Sequence, residues 1–139
     1  MTGGGERIAA RARALVGTRF RPQGRDPAHG LDCVGAAAAA AGVPAERVPT
    51  GYDARGQALA EVEHALCDLG CRPVTVGRWR PGDLLVCAPG PAQFHVAVVV
   101  PGGFVHADAI ARRVVERPFP VPWTVVGAWR AAEAEGEEE

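Results

Sequence analysis

The chain contains no serine, no lysine and no asparagine. Those absences exclude a serine nucleophile, a Schiff-base lysine and the lysine of a phosphate-binding P-loop. Covalent catalysis in this chain would have to use Cys, Thr, Asp, Glu, His or Tyr. Among these, cysteine has the largest ionised fraction near neutral pH and the highest intrinsic nucleophilicity. The four cysteines, at 33, 67, 71 and 87, are therefore the first candidates. Excess charge is lacking too: 15 basic residues, all arginine, stand against 16 acidic ones, for a net charge of −1. Such a balance gives no field for nucleic acid.

Long apolar runs are also missing. The N-terminal segment MTGGGERIAARARALVG has no apolar stretch of signal-peptide length, and no segment approaches the roughly 18 apolar residues that span a bilayer. The expectation is synthesis in the cytoplasm without a signal peptide and no membrane partner. There the thiols should stay reduced. No Cys-x-x-Cys pair occurs and the histidines are scattered, so neither a metal site nor a cofactor is expected. Cys67 and Cys71, four apart in a helical pattern, read as packing.

What is present fits one domain over residues 1–130, followed by an acidic tail, 131–139, expected to be solvated and disordered. Hydrophobic residues make up 47% of the chain, enough for a real core. Ile8, Ala12, Leu15 and Val16 recur at helical spacing over 5–16, and Gly17 is a natural stop. A Gly/Pro/Arg-rich loop covers 17–31. Asp32 is a good N-cap for the alanine-rich segment CVGAAAAAAG, which ends near Gly42. An irregular connection over 43–54 leads to a third helix at 55–69, with Leu59, Val62, Leu66 and Leu69 on one face. Strands are expected at 73–76, 83–87, 94–100, 103–107, 113–117 and 124–130. Helices first and strands afterwards make an α+β domain with an antiparallel sheet of five to six strands.

Cys33 falls in the first turn of the alanine helix, where exposed amides and the helix dipole would stabilise a thiolate and bind an oxyanion. Alone, it reads more readily as a small core residue, and only a partner changes that. His95 opens the strand HVAVVV, whose unbroken apolar run calls for cover on both faces; alone, it too reads as a core residue. A turn on Val100-Pro101-Gly102-Gly103 suits the Pro and Gly positions of a β-turn. That register pairs 99 with 104, 97 with 106 and 95 with 108. His106 then shares a face with His95 as its diagonal neighbour, while Asp108 lies directly opposite. Either could orient the imidazole.

The ordered motifs GTRFRPQGR…GLDCVG, RPGDLLV, FHVAVVV and FVHA resemble the NlpC/P60 cysteine peptidases, especially short forms from phage and gene-transfer-agent tail clusters. The resemblance covers roughly residues 8 to 130. It implies a papain-like α+β fold with the nucleophile's helix packed on the sheet. It further implies a thiol protease or amidase that cleaves peptidoglycan stem peptides in bacterial cell walls. Cys33 would be the nucleophile, His95 the general base and His106 the residue that orients it, with Asp32 in the Asp-Cys-x-Gly motif. Many members carry a tyrosine in the loop before the nucleophile; here Phe20 stands there. Backbone amides, with Gln23, would then have to serve the oxyanion. The expected partners are a peptidoglycan peptide and the proteins of a phage or gene-transfer-agent tail, with incorporation into a phage-like particle. The alternative is a catalytically weak or inactive structural component that grips the wall.

Overall fold

The computed structural model describes residues 4–48, 59–75, 77–90 and 93–132. Helix α1 runs over Gly4–Ala14 and buries Ile8, Ala9 and Ala12. It stops before Val16, which is exposed rather than part of the apolar face expected from spacing. The loop expected over 17–31 carries two short antiparallel strands, β1 (Arg25–Asp26) and β2 (Gly30–Leu31). Isolated bridges tie it to the rest: Arg19 to Arg113 and Phe20 to Leu31.

Helix α2, Cys33–Ala41, begins and ends where its caps require. The Asp32 carboxylate accepts from the Gly35 amide, and Gly42, in the left-handed region at φ 77°, closes the C-terminus. Its interior is almost all alanine, so it lies close against α1 and the sheet. Ala36, Ala37 and Ala40 join the main core with Ile8, Val96, Val98 and Val105. A 3-10 turn over Ala45–Arg47 follows. Helix α3 spans Leu59–Asp68 and buries Val62 and Leu66; residues 55–58 of the expected helix lie outside the described residues. Val34, Ala37 and Ala41 of α2 and Val62, Leu66 and Leu69 of the α3 side line an apolar cavity of about 70 Å³. The expected packing of Cys67 and Cys71 holds for only one of them. The helix ends at Asp68, so Cys71 enters the core beyond it, while Cys67 faces solvent.

Six strands then form one antiparallel sheet: β3 (Arg72–Val74), β4 (Leu84–Gly90), β5 (Gln93–Val100), β6 (Gly103–Asp108), β7 (Arg113–Pro118) and β8 (Thr124–Arg130). Their spatial order is β3-β8-β4-β5-β6-β7. Both faces are covered, as the apolar run in β5 requires. Val96, Val98 and Val100 face the helices. Ala97 and Val99 turn to a second core with Leu85, Cys87, Phe104 and Ala128, flanked by Trp79 and Trp123. His95 has the parity of the second set. Among the described residues no helix is long and apolar enough to cross a membrane. Ala131, the first residue of the expected disordered tail, is instead buried in the main core, and the acidic residues beyond Ala132 lie outside the described residues.

One ion pair anchors the end of the sheet away from the histidines. Arg130 donates from Nε to Asp83 Oδ1 at 2.8 Å and from Nη2 to Oδ2 at 2.9 Å, and the Arg80 amide donates to Oδ2. Both side chains are buried. Removing either partner leaves the other charge desolvated and unpaired, which typically costs about 3–5 kcal/mol. Arg130→Met is therefore expected to lower unfolding stability by roughly that amount, measured by urea denaturation. The double replacement Asp83→Leu with Arg130→Met should recover much of the loss.

Candidate active site

The site is assembled from a helix start and the first residues of a strand. Asp32 fixes the helix start. Its backbone is extended while its carboxylate accepts from three donors: Gly35 N at 2.8 Å, Gln23 N at 3.1 Å and Arg25 Nη1 at 2.8 Å. The cap therefore also pins the preceding loop to the first helical turn. Glycine is required at that junction. A Cβ on Gly35 would collide with the carbonyl of Gly24, and one on Gly24 with the carbonyl of Gly30. Gln23 sits at φ 56° with its amide spent on Asp32 and its side chain exposed. Phe20 is half-buried against the main core, with no hydroxyl to offer.

Cys33 is the first residue of α2, and its thiol lies by the backbone amides of Val34 and Val96. Val96 follows His95, so the helix start and the histidine strand meet here. The β5–β6 ladder pairs Val99 with Phe104, the register expected from the Pro-Gly turn. That register places His106 on the His95 face, and the two rings meet: His95 Nε2 and His106 Nδ1 are 2.8 Å apart. His106 is buried, and its Nε2 has no hydrogen-bond partner among the described residues. Asp108 does not share this contact. Its Oδ1 accepts from the amides of Ile110 at 2.8 Å and Ala111 at 3.3 Å, closing the turn after β6. Cys87 lies directly across from His95 in the β4–β5 ladder.

No family model matches the chain, and no curated protein matches its sequence. Solved structures do. The NlpC/P60 domain of the peptidoglycan hydrolase SagA superposes with a TM-score of 0.57 at 26% identity, over 89% of this chain and 96% of that one. The P60 domain of antigen MAP1204 from M. avium subspecies paratuberculosis gives 0.61 at 19% identity, covering 94% and 95%. NlpC1 from Trichomonas vaginalis gives 0.66 at 20% identity, covering 94% of this chain and 45% of that one. The chain has the NlpC/P60 fold. It spans about half the length of NlpC1 and of NlpC2 from the same organism.

Within this NlpC/P60 fold, burial dominates the electrostatics of the candidate residues. It pushes the Cys33 thiol up to about 11; the Asp32 charge adds to the rise, and the amides of Val96 and Val34 oppose it. The depressed thiol expected at a helix N-terminus is thus reversed. The partial charge of the helix end is outweighed by the loss of water around the sulfur. Burial likewise pushes His95 down to about 4, with the neighbouring His106 adding to the fall while Asp108 and Asp32 oppose it. His106 is lowered by the same cause. At neutral pH burial therefore favours the neutral form of the thiol and of both imidazoles. No group of three or more His, Cys, Asp or Glu side chains suited to a metal occurs among the described residues.

Two neighbours escaped the sequence reading. Arg25 was one arginine among many in the loop, and only its approach to Asp32 gives it a role. Trp123, which falls between the strands expected at 113–117 and 124–130, has its ring centroid 5.0 Å from those of both His95 and His106; a tryptophan in a proline-rich turn was the available signal. A raised thiol means little thiolate at neutral pH, with the fraction growing until about 11. Alkylation of Cys33 by iodoacetamide, followed by peptide mass spectrometry, should therefore climb steadily from neutral pH towards that value. A rate already level at neutral pH would instead show a thiolate–imidazolium pair.

Proposed function

We propose that this chain is a cysteine-dependent hydrolase of amide bonds in bacterial peptidoglycan stem peptides, with Cys33 as nucleophile, His95 as general base and His106 as the residue that orients it. The observation that carries this reading is the 2.8 Å contact between His95 Nε2 and His106 Nδ1. It occupies one imidazole nitrogen, so that in this reading Nδ1 is the atom that takes the proton of the thiol. The fold supports the substrate class: SagA and RipB, which share it, are named peptidoglycan hydrolases.

In this mechanism His95 Nδ1 takes the Cys33 proton as the sulfur attacks the amide carbonyl carbon. The N-terminal amides of α2 stand where they can stabilise the resulting oxyanion. His95 then passes its proton to the leaving nitrogen, the C–N bond breaks and a thioester remains. A water molecule, deprotonated by His95, attacks the thioester carbonyl; the C–S bond breaks, releasing a carboxylic acid and restoring the thiol. For Nδ1 to accept, His95 must carry its proton on Nε2 and donate it to His106 Nδ1. His106 fixes that tautomer.

Purified cell wall is the decisive substrate, with release of new amino termini as the readout. Cys33→Ala should abolish release and leave the fold nearly unchanged, whereas Cys67→Ala, on an exposed position, should retain it. Binding to wall without release by the unaltered protein would favour the wall-gripping role of a tail component instead. The orienting residue has its own test. His106→Ala should lower turnover by roughly a hundredfold or more, short of the ~10⁴ lost when the carboxylate of a serine triad is neutralised. His106→Asn should restore part of it through an amide oxygen that accepts the ring N–H. Asp108→Ala should be mild, since its carboxylate serves its own turn. A larger loss in Asp108→Ala than in His106→Ala, with both folded, would reverse the assignment.

A further inference from the structure

The three rings around the candidate base form a nearly equilateral triangle. Centroid separations are 4.9 Å for His95–His106 and 5.0 Å for each histidine to Trp123. Their planes are close to mutually perpendicular, at 81°, 77° and 79°. The N···N distance of 2.8 Å within a 4.9 Å centroid separation places both bonded nitrogens near the line joining the histidine centroids. That line lies close to both imidazole planes. A third ring perpendicular to both planes must then lie across it. Because Trp123 is equidistant from the two centroids, the plane of its ring crosses the line near its midpoint and the ring turns an edge towards the hydrogen bond.

We propose that Trp123 is a positioning residue, whose edge seals the His95–His106 hydrogen bond from water and holds the two imidazoles at their mutual angle. Its own place is fixed from behind. Phe104 packs against it at 5.8 Å and 68°, and the Arg117 guanidinium stands 5.7 Å from its ring centroid and 6.0 Å from that of Phe104. Arg117 is paired with Phe104 in the β6–β7 ladder, so the strand register sets the clamp. A hydrogen bond shielded in this way gains strength from the low local dielectric. Shielding also discourages a second proton on either ring. Among the described residues, the charged or titratable groups that face His95 are His106 and Asp108 on β6, Asp32 before α2 and Cys87 on β4, and Arg117 on β7 faces His106 and the Trp123 ring. Trp123 itself brings no charge to the pair.

This assignment rests on His95 as the base, but it has a readout that needs no catalysis. In the intact protein the ring N–H shared by His95 and His106 should give a proton resonance that exchanges slowly with water. Trp123→Ala should speed that exchange and broaden the signal, and Trp123→Phe, which keeps an aromatic edge, should restore it. In the activity assay Trp123→Ala should lower kcat by about 10²-fold with little change in KM, the scale of loss from a misplaced catalytic group. Water reaching His95 would relieve its burial, so the acid limb of the pH–rate profile should move up from about 4 towards the ordinary 6.5. Trp123→Val replaces Trp123→Ala if the latter does not fold. Unchanged N–H exchange and acid limb in a folded Trp123→Ala or Trp123→Val, or no restoration by Phe, would reduce Trp123 to core packing and overturn the proposal. Cys33→Ala retaining activity would overturn the catalytic reading and leave the exchange result to stand or fall by itself.

Discussion

A single carboxylate sets the geometry from which the site follows. Asp32 is buried and negative, so it needs donors, and it finds them on two sides: the amide of Gly35 within the helix, and the amide of Gln23 and guanidinium of Arg25 in the loop. The first contact decides where α2 begins and so makes Cys33 its first residue. The others draw the loop down on that turn, to a distance that only glycine at 24 and 35 allows. The neutralising partner comes from the loop. The same interaction that caps the helix therefore also folds the segment beside it, and neither would hold its place alone.

The sheet supplies the second coordinate through parity. Because side chains alternate, the ladder that seats Val96, Val98 and Val100 on the helices sends the odd positions to the opposite core. His95 and His106 can meet only if the turn at Pro101–Gly102 keeps the observed register; a shift of one residue would part them. Cys33 comes to the beginning of the same strand, where its thiol lies by the amide of Val96, the residue after His95.

Features encoded within a few residues were legible in the sequence, and features encoded across the fold were not. The Asp32 cap, the Gly42 stop, the β5–β6 register and the strand succession all rest on local signals, and the structure places them as expected. The Asp83–Arg130 pair joins residues 47 apart, and nothing near either one announces the other. Trp123 is close to the histidines only because β8 and the turn before it bring it back. The end of α1 before Val16 and the exposure of Cys67 show the limit of periodicity, which tells which residues could share a face but not where the helix stops.

The raised thiol is the most consequential of these tertiary effects, because it changes what the neighbouring groups are for. A helix end offers about half a unit of positive charge, which favours a thiolate when water also reaches the sulfur. Here burial removes that water, and the nearby Asp32 carboxylate adds a repulsive charge, so the proton stays on sulfur until about 11. In the proposed mechanism the base for such a thiol must itself be unprotonated, and burial favours that by holding His95 down to about 4. An anionic partner bonded to His95 would work against this state by stabilising the imidazolium. A neutral imidazole does not. The pairing of His95 with His106, while Asp108 turns its carboxylate to the amides of Ile110 and Ala111, is therefore of one piece with the neutral thiol. In the proposed mechanism charge would then appear only as the sulfur bonds to carbon, at the N-terminus of α2.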